Sequence, residues 1–245
     1  MIIKINMLKK NYKCLCIVAG KKQENHNVTT ITLTPKKGRI FPFIAGQFTT
    51  VCFTSGPLKG IGKPYTISSL PNLDYITITV KKIGNFSATL HDLKKGDELL
   101  IKGLYGNFYP DADRNNLVFI AGGIGIIPFY LIIQDCFQKM PNKKHITLFY
   151  SNKIQNDLIY YSDLKKIINK WKNLKVFFYL TQQKSSDLPG FNFGRMSVAI
   201  IKKCLRNLKK RDYFICGSID FVDDFWEQLK KEGVPENNIY TETFF

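Results

Sequence analysis

The chain has 245 residues, 44% hydrophobic and 13% aromatic, enough for a real core and suited to two domains rather than one. No apolar run reaches the roughly 18 residues that cross a bilayer, and the longest candidate, "AGGIGIIPFYLII", is interrupted by glycines and a proline. A net charge of +17, from 36 basic against 19 acidic residues, would attract acidic proteins, nucleic acid or anionic lipid, though a Lys-rich composition alone yields the same excess. Aromatic residues do not interleave with a concentrated basic stripe, so no nucleic-acid role is expected.

The opening "MIIKINMLKK" lacks the apolar length and small-residue cleavage site of a secretory signal, and a cytoplasmic protein is expected. Up to about Pro110, short runs alternate apolar and polar residues ("CLCIVAG", "VTTITLTP", "QFTTVCF", "YTISSL", "YITITVKK", "DELLIKG") between Gly, Pro or Asn/Asp turns. That rhythm predicts an antiparallel β-barrel or sandwich, with one short helix near Phe86 to Leu93. Cys14 and Cys16 fall on one strand face and read as small buried hydrophobes. None of the six cysteines forms a CxxC pair or a close quartet, so no protein-bound metal is expected.

Within "KPYTISS", Lys63 and Tyr65 share one strand face and Thr66 turns away. A cation, an aromatic and a hydroxyl at this spacing suit a nucleotide-like ligand. In "KKIGNFSATLHDL", Gly84 precedes Ser87 at the start of the predicted helix; the pair reads either as a pyrophosphate turn or as a plain N-cap.

After "PDADRNN" the rhythm changes. Continuous apolar strands ("LVFIA", "HITLFY", "LKVFFYL", "DYFIC") each precede a helical stretch, the pattern of a doubly wound parallel sheet. The division expected is therefore 1–112 for the barrel and 113–245 for the α/β domain. In "IAGGIGIIPF" a strand enters Gly122, Gly123 and Gly125 and opens a helix, so main-chain amides could converge on an anion; Pro128 stands where a dinucleotide fingerprint has its third glycine. The next strand ends in Ser151, Asn152 and Lys153 with no acidic residue to hold a ribose hydroxyl, which favours a 2'-phosphate and NADPH. His26, His91 and His145 read as solvated side chains, and no GxSxG elbow supports hydrolysis.

In order and spacing from about Tyr12, the segments "AGQF", "KPYTISS", "VKKIG", "GNFS", "GGIGIIP" and "YFICGS" resemble the ferredoxin-NADP(+) reductase family. The resemblance implies an FAD-binding barrel and an NAD(P)-binding domain, with NADP(H) or NAD(H) delivered across the cleft between them. By it, Lys63 contacts the flavin pyrophosphate, Pro64 lies in the same motif, Tyr65 stacks on the isoalloxazine and Thr66 lies near flavin N5. Val80, Lys81 and Lys82 match the strand beside the ribityl and phosphate groups, and Gly84, Phe86 and Ser87 the second phosphate turn. Gly122, Gly123, Gly125 and Pro128 match the nicotinamide-nucleotide pyrophosphate loop, with Ser151 and Lys153 following. Cys216 and Gly217 match the turn beside the nicotinamide, and Glu242, Phe244 and Phe245 a tail reaching back toward the flavin. Tyr65, Thr66, Cys216 and Glu242 are the implied catalytic set, Glu242 tuning the electrostatics or relaying a proton.

Lys63 stands where the family usually has arginine, leaving a point charge in place of a bidentate fork; Leu104, Ile127 and Ser218 also depart from the pattern. The sequence carries no cluster cysteines or fused haem, so the expected acceptor is a separate acidic carrier, ferredoxin or flavodoxin. The alternatives are the reductase subunit of an oxygenase, of a dihydroorotate dehydrogenase or of another complex; a flavin or ferric reductase; and a non-catalytic nucleotide-binding module. Oligomeric state and the direction of electron flow leave no mark in the sequence.

Overall fold

A computed structural model describes residues 12–186 and 188–244. The N-terminal stretch weighed as a signal, residues 1–11, and the terminal Phe245 lie outside them. The chain divides into two compact units, one holding the residues up to Gln23 and Asn27–Asn107, the other Glu24–His26 and the residues from Phe108 onward.

The first unit is built on β1 (Lys13–Asn25), β2 (Val28–Pro35), β3 (Phe48–Phe53), β4 (Gly62–Thr66), β5 (Ile76–Lys81), the helix α1 (Asn85–Asp92) and β6 (Glu98–Tyr105). Its six strands lie in the order β4-β3-β6-β1-β2-β5. The end strands approach through an antiparallel bridge between Ile67 and Ile78, and the Ser68 N–H donates to the Thr77 carbonyl at 2.8 Å. The sheet thus curls into an antiparallel barrel. Alternation drives it: Cys14, Cys16 and Val18 of β1, Ile31 and Leu33 of β2 and Ile76, Ile78 and Val80 of β5 all enter one core. Cys14 and Cys16 are buried together, their sulfurs 3.7 Å apart.

The second unit contains β7 (Asn116–Gly122), α2 (Ile126–Lys139), β8 (His145–Asn152), α3 (Tyr161–Lys170), β9 (Leu174–Leu180), β10 (Phe191–Phe193), α4 (Val198–Cys204), β11 (Asp212–Gly217), α5 (Ile219–Lys231) and β12 (Ile239–Thr243). Its strands are parallel, in the order β10-β9-β8-β7-β11-β12. Leu117 to Ala121 of β7 are fully buried, as a central parallel strand covered on both faces requires. The chain runs outward from β7 through β8, β9 and β10, then returns to place β11 on the other side of β7. The order therefore reverses between β7 and β11, and crevices at such reversals, outside the carboxyl ends of the strands, are where open α/β sheets bind ligands.

The polar segment after Pro110 is held within this unit. Lys144, 1% exposed, donates from Nζ to the carbonyls of Asp111 (2.9 Å), Ala112 (3.1 Å) and Arg114 (2.6 Å), and Arg114 pairs with Asp212. Burial lowers the Lys144 pKa, and the three carbonyls satisfy its three protons.

One histidine differs from expectation. His91 is half-buried with both ring nitrogens engaged, whereas His26 and His145 are exposed. No helix among the described residues is long and apolar enough to cross a membrane.

Candidate active site

In the barrel a candidate site lies on β4 and the β5–α1 turn. Pro64 costs β4 little because this strand ends the sheet's hydrogen-bonded order. Lys63 is exposed, its Nζ 5.7 Å from the centroid of Phe86. Tyr65 is half-buried, its ring 6.2 Å from that of Phe86 and tilted by 20°, and burial pushes its phenol up to about 12. Thr66 is buried, and its Oγ1 has no hydrogen-bond partner among the described residues. Such orphaned oxygens are uncommon in folded proteins and point to an absent partner.

Val80 is fully buried, so only its main chain is available, while Lys81, Lys82 and Gly84 are exposed. Nothing lies within 4 Å of where a Gly84 side chain would stand, leaving open space for an approaching group. Two residues here do something other than the resemblance implied. Phe86 is 5% exposed and packs edge-on to Phe53 at 4.9 Å, so it supports Tyr65 from the core. The Ser87 hydroxyl accepts from the N–H groups of Ile83 and Gly84, each at 3.0 Å, and donates to the Gly84 carbonyl at 2.9 Å. That hydroxyl is consumed by its own turn, so this helix start can offer an anion its main-chain amides.

In the second unit, the sheet reversal places Gly122 at the end of β7, and Gly123 and Gly125 just after it, beside Cys216 and Gly217 at the end of β11. Gly123 has φ +54°, and a side chain on Gly125 would stand 2.2 Å from the Cys216 carbonyl oxygen. The Ile126 N–H is taken by the Gly123 and Ile124 carbonyls, and Pro128 has none. The amide cradle at α2 is therefore thinner than the glycine pattern alone promises.

Cys216 is buried, and its thiol is pushed well above its usual range, first by burial and then by Glu242. It packs as a neutral thiol. Glu242 pairs in register with Cys216 across β11 and β12; burial raises its carboxyl to about 7, and its Oε2 has no partner among the described residues. The Phe244 N–H donates to the Gly217 carbonyl at 2.8 Å, which anchors the tail beside the same turn. At the end of β8, Ser151 is buried and Lys153 exposed.

Two model matches cover the chain in sequence: an oxidoreductase FAD-binding domain over residues 15–109 and an oxidoreductase NAD-binding domain over residues 119–226. A ferredoxin NADP+ reductase from Neisseria gonorrhoeae, solved with FAD and NADP bound, superposes with a TM-score of 0.81 at 20% identity, covering 97% of this chain and 100% of that one. The chain joins the FAD-binding and NAD-binding domains of an oxidoreductase, in the fold of that reductase. Its fold also matches the FAD/NAD-binding domain of a nitric oxide dioxygenase from Vibrio cholerae, with a TM-score of 0.84, 22% identity and coverage of 94% and 98%. A flavohemoprotein from Bacillus subtilis is 28% identical over 96% of this chain, which spans 60% of that relative's length.

The two matched domains bind FAD and a nicotinamide nucleotide. The residues present fit both: the orphaned Thr66 hydroxyl and the open space at Gly84 in the barrel, and the crowded glycine turn with the unpartnered Glu242 oxygen in the α/β unit. Sequence reading gave no role to two residues near this glycine turn. Phe221 lies over both Gly122 and Gly217, its ring 3.1 Å and 2.7 Å from where their side chains would stand. The Asn152 amide is buried next to the Tyr150 hydroxyl, and its Nδ2 finds no well-formed partner. The signal for Asn152 was its place at the end of a buried strand; Phe221 gave none.

Proposed function

We propose that the chain passes electrons from NAD(P)H through FAD to a separate acidic one-electron carrier, ferredoxin or flavodoxin. The observation that carries the reading is the Tyr65–Thr66 pair, an aromatic ring fixed against Phe86 next to a buried hydroxyl that lacks a partner. FAD, when bound, supplies the chemistry that links two-electron nicotinamide oxidation to one-electron transfer.

The proposal assigns FAD to 1–112 and the nicotinamide nucleotide to 113–245. Tyr65 stacks on the flavin, Thr66 Oγ1 hydrogen-bonds it, and Lys63, the amides that follow Gly84, and Lys81 and Lys82 meet its phosphates. The Gly122–Gly125 turn, with Pro128 behind it, receives the nucleotide, while Ser151 and Lys153 favour a 2'-phosphate. Cys216 and Gly217 pack at the nicotinamide, and Glu242 Oε2 holds a proton near neutral pH.

Charge supports the acidic carrier: at +17 the chain would attract it over a distance set by the Debye length, and the attraction would weaken with salt. Six free cysteines, five of them buried, suit a reducing cytoplasm. A second reading, a reductase portion feeding a haem, is favoured by the flavohemoprotein match and by the chain's spanning 60% of that relative.

The test begins with absorbance of the FAD-loaded protein before and after anaerobic NADPH or NADH. A flavin band bleached by either donor is expected, and an unbleached band refutes the reductase reading. Cytochrome c reduction is then followed with and without purified ferredoxin as ionic strength rises. Carrier-dependent rates that fall with salt support the acidic partner; rates indifferent to the carrier refute it.

A further inference from the structure

We propose that His91, unassigned above, is a positioning residue for FAD, holding α1 in fixed register against β5; the inference rests on the barrel reading of the preceding section. Two of the groups credited there with the flavin phosphates, Lys81 with Lys82 at the end of β5 and the amides that follow Gly84 at the start of α1, belong to different elements. What sets one against the other therefore sets the shape of the cradle.

An eight-residue helix has little stability of its own, so its placement comes from tertiary ties. Phe86 and Leu90 bury its apolar face, but such contacts are non-directional and tolerate sliding. His91, at the other end of the helix, adds direction. Its Nε2 lies 2.9 Å from the Val80 carbonyl, and because a carbonyl only accepts, Nε2 must carry the proton and donate. Its Nδ1 then accepts from Thr29 Oγ1 at 3.2 Å, which commits that hydroxyl's single proton to the ring. The His91 carbonyl, in the last turn of α1, accepts from Lys21 Nζ at 2.6 Å.

One residue thus joins α1 to three strands. Of these ties, the bond to Val80 reaches the residue directly preceding Lys81 and Lys82. Losing it would remove a directional tie between α1 and β5 and free α1 to shift along the strand, moving its first-turn amides relative to the two lysines. Without leaving the fold, the cradle would lose its geometry.

The test is FAD titration by flavin fluorescence at a temperature well below melting, on the wild-type protein, His91→Phe and His91→Gln. Phenylalanine keeps the ring volume without a donor, whereas the glutamine amide nitrogen can reach the Nε2 position. The dissociation constant should rise about tenfold in His91→Phe, the scale of one good hydrogen bond, and stay within about twofold of wild type in His91→Gln. A purely structural His91 would lower the melting temperature of His91→Phe yet leave the folded protein's FAD affinity unchanged, and that result overturns the inference. So does equal weakening in both variants, which would mean that packing, not the donor, is what counts. A wild-type protein that binds no FAD fails differently, removing the barrel reading itself.

Discussion

Glu242 is the most informative residue to perturb, because its carboxyl is buried with one oxygen unpartnered beside a buried thiol. Burial raises its pKa from an ordinary 4.5 to about 7. A carboxyl whose folded-state pKa lies above its unfolded value is held protonated by folding. Between those two values the unfolded chain carries fewer protons than the native one, so stability falls as pH rises through this window and the full cost is present above about pH 7. At 1.36 kcal/mol per pH unit the span converts to about 3 kcal/mol, and partial exposure of the side chain trims that to about 2–3 kcal/mol.

Glu242→Gln keeps the shape and removes the ionisation. At pH 5 it should melt close to wild type; at pH 8 it should melt higher, by roughly 5–10 °C at about 2–4 °C per kcal/mol. The measurement is calorimetry of both proteins at the two pH values with the same excess of FAD, since bound ligand shifts melting by itself. A difference that is the same at pH 5 and pH 8, or a variant less stable at pH 8, would mean that the native carboxylate has a compensating partner, and the burial argument would be wrong.

Gly125→Ala would drive a methyl into the Cys216 carbonyl, which no side-chain motion relieves; a loss of about 3 kcal/mol and a higher KM for NADPH are expected, and wild-type melting would refute the close approach. Gly217→Ala meets the Phe221 ring instead, so Phe221→Ala should partly rescue it, with a coupling of about 1 kcal/mol or more in a double-mutant cycle; additive effects would exclude the contact. Lys144→Met leaves three main-chain carbonyls without their donor and should cost about 3 kcal/mol by denaturant titration, whereas an unchanged midpoint would show that the 111–114 segment is held by other groups.

Much of the architecture was legible because local pattern determines it. A strand with one buried face must alternate, as Cys14, Cys16 and Val18 do, and a strand covered on both faces must be apolar throughout, as Leu117 to Ala121 are. The Tyr65–Thr66 contrast was legible for the same reason, since neighbours on a strand face opposite ways. What stayed hidden depends on partners far away in sequence: His91 meets Thr29, 62 positions earlier, and Phe221 of α5 covers Gly122 of β7. Ser87 was hidden in another way. Its spacing fitted a ligand turn and a self-closed turn alike, and only atomic positions distinguish the two.

The glycines after β7 carry the same lesson into function. Read as a string, Gly122, Gly123 and Gly125 are a single motif for holding phosphate. In the fold they answer three separate demands: room beneath Phe221, a φ of +54°, and contact with the Cys216 carbonyl. Each of these is a contact or conformation within the protein itself, present before any nucleotide arrives. The turn is thus first a device that closes β7 onto β11 at the sheet reversal, and the proposed nucleotide cradle is what that closure leaves. Gly125→Ala should accordingly lower the melting temperature already in the absence of nucleotide, whereas a cost confined to the nucleotide-bound protein would return the glycines to the ligand.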